Sequence, residues 1–157
     1  MPLYDQDKMA KLISEFRKSV SRLQKLKETG RQKFLNDPDK IGSAKYHFIV
    51  AIESSIDMCN HIISRNGYRV PEDYGDTFKV MGEKGAFDVE FSEQLVKMAK
   101  FRNRLVHLYW EVDDARIYKI LEENLGDFLK FILATIHRAE NTNNAVRLKS
   151  IRSVILK

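Results

Sequence analysis

An all-α fold, an up-and-down antiparallel bundle of four to five helices, is what this sequence predicts, on three observations. Apolar residues recur at steps of three and four through most of the chain, the spacing of a helix that buries one face. Only three prolines and seven glycines in 157 residues leave room for long uninterrupted helices. No alternating strand pattern, internal repeat or low-complexity segment competes with that reading.

The first helix is predicted from Gln6 to Leu35, with Met9, Ile13, Phe16, Val20 and Leu23 as its apolar stripe. "NDPDK" ends it, because Pro38 disfavours helical geometry at Asp37 and Asx residues suit a turn. A second long helix is expected from about Ile41 to Asn66. Its broad face carries Ala44, Phe48, Ala51, Ile52, Ser55, Ile56, Cys59 and Ile62, and its small members allow a neighbour to approach closely. Gly67 and then Pro71 close it. A short helix follows from about Tyr74 to Lys84 with Tyr74, Phe78 and Met81 inward. The fourth begins between Asp88 and Ser92 and ends near Leu108 to Trp110. The fifth covers residues 111–140, with Ile117, Ile120, Leu121, Leu125, Phe128, Phe131, Ile132 and Thr135 on one side. Residues 1–140 thus read as one bundle, and 141–157 as a basic tail, either poorly ordered or a short docking helix.

The chain is long enough to bury an ordinary core without metals or disulfides. Cys59 is its only cysteine, which rules out an internal disulfide or a cysteine-based metal cluster. The start of the chain has no basic, then apolar, leader pattern, and no apolar run approaches the length of a membrane span. A cytoplasmic location is expected. The net charge of +5 is unevenly spread. Residues 1–40 carry ten basic side chains against six acidic, 41–140 thirteen against sixteen, and the tail four against none. Basic ends of this kind either form solvated faces or attract a polyanion such as RNA.

"FRNRLVHLYW", residues 101–110, holds the informative anomaly. On a wheel of about 100° per residue, Phe91, Leu95, Met98, Ala99, Leu105 and Val106 form an apolar arc. Arg102 and Tyr109 fall near its middle. A guanidinium keeps its charge when buried, so Arg102 needs a carboxylate, a phosphate or a wet crevice. Glu53 and Asp57 are candidate internal partners, and a buried ion pair joining two helices is one complete account of the arginine. Asn103 and His107 lie one turn apart on a flank, where the amide can orient the imidazole. Lys97 and Arg104 face solvent. His107 stands about 140° from Arg102 and about 200° from Tyr109 on an ideal helix. Bringing the three together requires the helix to unwind near His107 or a second subunit to supply the missing proximity. His47, His61 and His137 are scattered and belong to packing or surface, and no metal-ligand spacing or cofactor motif is present.

"RNRLVHLYW" resembles the Arg-x4-His-x-Tyr motif of the HEPN superfamily, specifically the HepT-like toxins paired with minimal nucleotidyltransferases. The flanking "KYHFIVAIESSIDMCNHIISRNGYRVPEDYGDTFKVMGEKG" and "EVDDARIYKILEENLGDFLKFI" resemble the family's other helices, so the likeness covers roughly residues 5–140. It implies a HEPN-like bundle, homodimeric, with two motifs facing across the two-fold axis. It further implies a metal-independent endoribonuclease toxin with no cofactor, acting on RNA and held by a nucleotidyltransferase antitoxin. Arg102 and His107 would be the catalytic pair, Asn103 a supporting residue, and Tyr109 the site where AMP silences the toxin. The alternative is a non-catalytic helical dimer that binds a nucleotide or scaffolds a nucleotidyltransferase. A third account, a purely structural bundle, requires Arg102 to be enclosed and paired with Glu53 or Asp57.

Overall fold

The computed structural model describes residues 4–140, and the tail expected at 141–157 lies outside the described residues. Six helices appear among them: α1 (Gln6–Glu28), α2 (Arg31–Leu35), α3 (Pro38–Asn66), α4 (Tyr74–Glu83), α5 (Val89–His107) and α6 (Asp114–Glu140). A single 3-10 turn, Tyr109–Glu111, sits between α5 and α6. The all-α expectation holds, with one more helix than the predicted four to five.

The additional helix comes from a break inside the first predicted one. Gly30 adopts φ +92°, a backbone conformation that side-chain-bearing residues rarely reach, and it splits Gln6–Leu35 into α1 and α2. Phe34 still buries completely after the break, which is why the apolar period ran on across it. The next boundary also moved. Pro38 is the first residue of α3 rather than a breaker before it, and Asp37 caps that helix by accepting from the Asp39 and Lys40 amides. The α3 helix therefore starts three residues ahead of the predicted Ile41.

Contacts between the helices set the directions. Asp5 N–H donates to His61 Nε2 at 2.6 Å and Ser19 Oγ meets His47 Nδ1 at 3.2 Å, so α1 runs antiparallel to α3. Tyr118 donates to the Lys27 carbonyl while Phe16 packs on Phe128, so α6 runs antiparallel to α1. Gln94 reaches Asp127 and Lys130 lies over the Phe91 ring, so α5 opposes α6. The four long helices thus alternate in direction, with α2 and α4 as short braces. Their shared core is aromatic. Phe16, Phe48, Phe78, Phe87, Phe128 and Phe131 form a chain of ring contacts with centroids 5.8 to 6.4 Å apart, in edge and tilted geometries. Cys59 is enclosed in this core, where burial pushes its thiol pKa up and leaves it unreactive. Among the described residues no helix is long and apolar enough to cross a membrane.

One polar clamp fixes the approach to α4. Arg69, in the α3–α4 connection, donates from both terminal nitrogens to Asp76 (2.7 and 2.8 Å) and from Nε and Nη2 to Glu83 (3.0 and 2.8 Å). The guanidinium holds the Asp76 carboxyl down at about 2. Sequence reasoning did not find this clamp, because Asp76 and Glu83 share a face of α4 but Arg69 meets them only once the loop has folded.

Candidate active site

Helix α5 carries the motif. Asp88 caps it, accepting from the Phe91 amide at 2.7 Å, and Phe91, Leu95, Met98, Ala99 and Leu105 bury its inner face. That inner face orients Arg102 towards α3. Its Nε and Nη2 groups both donate to Glu53 Oε1, at 3.1 and 2.5 Å, and Nη1 donates to Asn103 Oδ1 at 3.1 Å. The guanidinium carbon lies 4.9 Å from the centre of the Tyr74 ring, a cation–π arrangement at the start of α4.

Of the two candidate carboxylates, Glu53 is the one that holds the arginine. The Arg102 side chain is 11% exposed and Glu53 43% exposed, so the pair is anchored inside but open at its rim. An arginine has five N–H donors. Three are engaged here, which leaves one on each terminal nitrogen for an incoming acceptor. Arg102 is thus neither sealed in the core, as a purely structural pairing requires, nor free. Asp57, one turn along α3, is not bonded to it. Lost hydration first, and then the Glu53 charge, raise the Asp57 carboxyl above its ordinary range, with weaker opposition from Lys8 and Arg102.

The end of α5 corrects the wheel. The helix stops at His107, and Leu108 at φ −133°, ψ 40° turns the chain into the 3-10 turn. Tyr109, placed near the middle of the apolar arc on an ideal helix, is instead 61% exposed. Trp110 is 66% exposed and packs edge-on against Tyr109 with centroids 5.3 Å apart. His107 is exposed as the last helical residue. Unwinding after His107 therefore removes the apparent conflict between histidine and tyrosine, and both face solvent at one end of the bundle. Arg102 stays about 140° around the helix from His107. Asn103, expected beside the imidazole, spends its carbonyl oxygen on Arg102. One subunit joins Arg102, Asn103, Glu53 and Tyr74 as one cluster and displays His107, Tyr109 and Trp110 as another.

Glu53 is one of the two partners the sequence offers for Arg102; Tyr74 is not among them. The period placed Tyr74 on the inward stripe of α4, yet it is 43% exposed at the helix start, and only the packing of α4 beside α5 brings its ring under the arginine. His47 and His61, expected at packing or surface positions, are half-buried against Ser19 and the Asp5 amide, and partial burial lowers the pKa of both. Among the described residues no group of three or more His, Cys, Asp or Glu side chains is arranged to hold a metal ion.

Comparison with known proteins supplies the family. The model of the ribonuclease HepT-like family matches residues 16–135, a span that includes the whole motif and all six helices in whole or in part. The chain belongs to this family. It is 34% identical over 95 residues to a protein of Archaeoglobus fulgidus provisionally named an RNase, covering 60% of this chain and 71% of that one. It is 27% identical over 120 residues to the mRNA nuclease HepT of Shewanella oneidensis, covering 76% of this chain and 90% of the relative. Among solved structures, the tri-AMPylated HEPN toxin of Shewanella oneidensis in complex with the MNT antitoxin superposes with a TM-score of 0.74 at 25% identity, over 80% of this chain and 94% of the toxin. YutE, a cytosolic protein of unknown function from Bacillus subtilis, has a TM-score of 0.77 at 18% identity over 90% of this chain and 94% of its own, a likeness of fold. The resemblance seen in "FRNRLVHLYW" is thus one of family, and membership places the chain among ribonucleases.

Proposed function

We propose that the protein is a metal-independent endoribonuclease toxin whose site is completed between two subunits. Arg102 binds the scissile phosphate, His107 transfers protons, Asn103 supports Arg102, and an AMP group on Tyr109 shuts the site. The observation that carries this reading is the end of α5: an exposed imidazole and an exposed phenol, on the helix whose Arg102 keeps two N–H donors outside its bonds to Glu53 and Asn103.

In the reaction, the ribose 2′-OH gives its proton to one His107 and the oxygen attacks the adjacent phosphorus. The bond from phosphorus to the 5′ oxygen breaks, and that oxygen takes a proton from the partner subunit's His107. The products are a 2′,3′-cyclic phosphate and a 5′-hydroxyl. An imidazole suits both transfers near neutral pH. The two remaining Arg102 donors stabilise the charge that gathers on the phosphoryl oxygens. Glu53 fixes the guanidinium but also offsets its charge, so a second cation is needed where the phosphate sits, and two subunits provide it. The exposed Leu108, Tyr109 and Trp110 give the end of α5 an apolar rim suited to burial between copies.

Regulation follows from the same position. A nucleotidyltransferase partner passes AMP from ATP to the Tyr109 phenol oxygen with loss of pyrophosphate. The added phosphate and adenosine then occupy the space the RNA backbone needs. The complexes of the Shewanella toxin with its MNT antitoxin support this partnership by family likeness.

Purified, unmodified protein is expected to cleave cellular RNA in EDTA. His107→Ala and Arg102→Ala proteins that keep helical content and assembly state should lose at least about a hundredfold in rate, the usual worth of a positioned acid–base group. Intact RNA with the unmodified wild-type protein would overturn the proposal. Co-expression with the nucleotidyltransferase should add AMP units by intact mass to wild type and none to Tyr109→Phe.

A further inference from the structure

The outer face of α5 carries a line of cations that the proposed chemistry does not use. Lys97, Lys100 and Arg104 are all exposed, and at steps of three, four and three they lead to His107. The line is about 15 Å long at 1.5 Å per residue. The start of the helix is acidic, with Glu90 and Glu93, so the positive charge is confined to the stretch from Lys97 onward that leads to the histidine. A helix C-terminus carries partial negative charge and is a poor place for an anion unless cations surround it. Here four cationic side chains, including Arg102, occupy that stretch.

A cleft of about 640 Å³ between α4 and α5 flanks the line. Lys79 faces Lys97 and Lys100 across it, and Phe87, Val89 and Val96 supply apolar lining. Of its two carboxylates, Glu83 is bonded to Arg69, and Glu93 stands at the end of the line farthest from His107. A positive rim over an apolar lining matches a strand with a phosphate backbone and unstacked bases, and suits an acidic protein surface less well.

We infer that Lys97, Lys100 and Arg104 form a track for single-stranded RNA, holding the backbone beside the nucleotide being cut while the α4–α5 cleft receives a neighbouring base. The track extends the proposed ribonuclease reading and rests on it. Arg104 approaches Glu111 only at 4.0 Å, with both side chains about half exposed, so it can turn to a phosphate at little cost. RNA entering along α5 reaches His107 at the helix end without crossing the Glu53 and Asp57 carboxylates of α3.

The test measures binding of a labelled single-stranded oligoribonucleotide to full-length protein carrying His107→Ala, which prevents turnover. Adding Lys97→Ala and Lys100→Ala should weaken binding at least tenfold near 0.1 M salt. It should also flatten the slope of log affinity against log salt by about 1.4, two contacts at about 0.7 each. In protein with intact His107 the same pair should raise KM and leave kcat nearly unchanged. Lys11→Ala with Lys18→Ala, exposed on α1 across the bundle, should change neither quantity. An unchanged slope in the α5 pair, or equal losses in both pairs, overturns the track. So does retained RNA binding with loss of the nucleotidyltransferase complex, which would make the line a protein-docking surface. If wild type cleaves RNA while the α5 pair matches it, the track alone fails. If wild type neither binds nor cleaves, the ribonuclease reading fails with it.

Discussion

Asp57 is a carboxylate with little to hold it. It lies on the surface of α3, yet its neighbours remove part of its hydration and Glu53 stands one turn away, while Arg102 is committed to Glu53. Its pKa is raised from the ordinary 3.8. The sign of the consequence is definite. Unfolded chain ionises at the ordinary value and folded chain at a higher one, so stability is intact below 3.8 and falls as pH rises through the folded value. Asp57→Asn is therefore expected to raise the urea midpoint at pH 7 and to leave it almost unchanged at pH 3. A gain of equal size at both pH values would mean that the charge is not the cause. Glu53 and Asp57 were both legible as candidates for Arg102, since each sits on α3 within reach of a facing helix. Choosing between them needed the relative rotation of α3 and α5, which no single helix encodes.

At the scale of the element, α4 packs on α5 through Gly82, whose missing side chain leaves room for Ser92. A Cβ added there would lie 2.3 Å from Ser92 Oγ and 3.3 Å from Ser92 Cβ. The buried Ser92 hydroxyl finds no hydrogen-bond partner in the described structure. Gly82→Ala should cost about 1–3 kcal/mol through overpacking. Adding Ser92→Ala should recover most of that loss, because it removes both the clash and an unpaired buried hydroxyl. A double-mutant cycle by urea denaturation checks the coupling, and additive losses would place the strain elsewhere. The apolar stripes of these helices were readable because period reflects burial: every residue assigned to the α3 face is buried. Helix ends were less readable. The break at Gly30 lies within a continuing period, and Pro38 serves equally as a breaker or as a first helical residue. The stop at His107 leaves no mark in the period, and it moves Tyr109 from the core to the surface.

For the whole molecule, the proposal of a two-fold site makes a prediction that its lone tryptophan can report. Trp110 is 66% exposed in one subunit and lies beside Tyr109 at the rim proposed to be covered. Its emission should shift to shorter wavelength as concentration rises through the range where sedimentation shows the mass doubling. A doubled mass with unchanged emission would put the contact on another face and leave the two clusters of the site unjoined. The reason to expect a second copy is geometric: Arg102 faces Glu53 and Tyr74, whereas His107 and Tyr109 face outward past the helix end.

The sequence by itself determined the all-α class, the inner face of every long helix and the membership signalled by "FRNRLVHLYW". Each of these is local, written in a period of 3.6 residues or in a short run of side chains. Tertiary structure alone decided which carboxylate holds Arg102, that a tyrosine ring lies under it, that α5 ends in time to expose the phenol, and that Lys79 joins Lys97 and Lys100 around one cleft. Those relations depend on the rotation and separation of helices. Rotation and separation are set by how bulky core residues such as Phe128 and Phe131 fit together, and that sum over many contacts cannot be read along one strand of text.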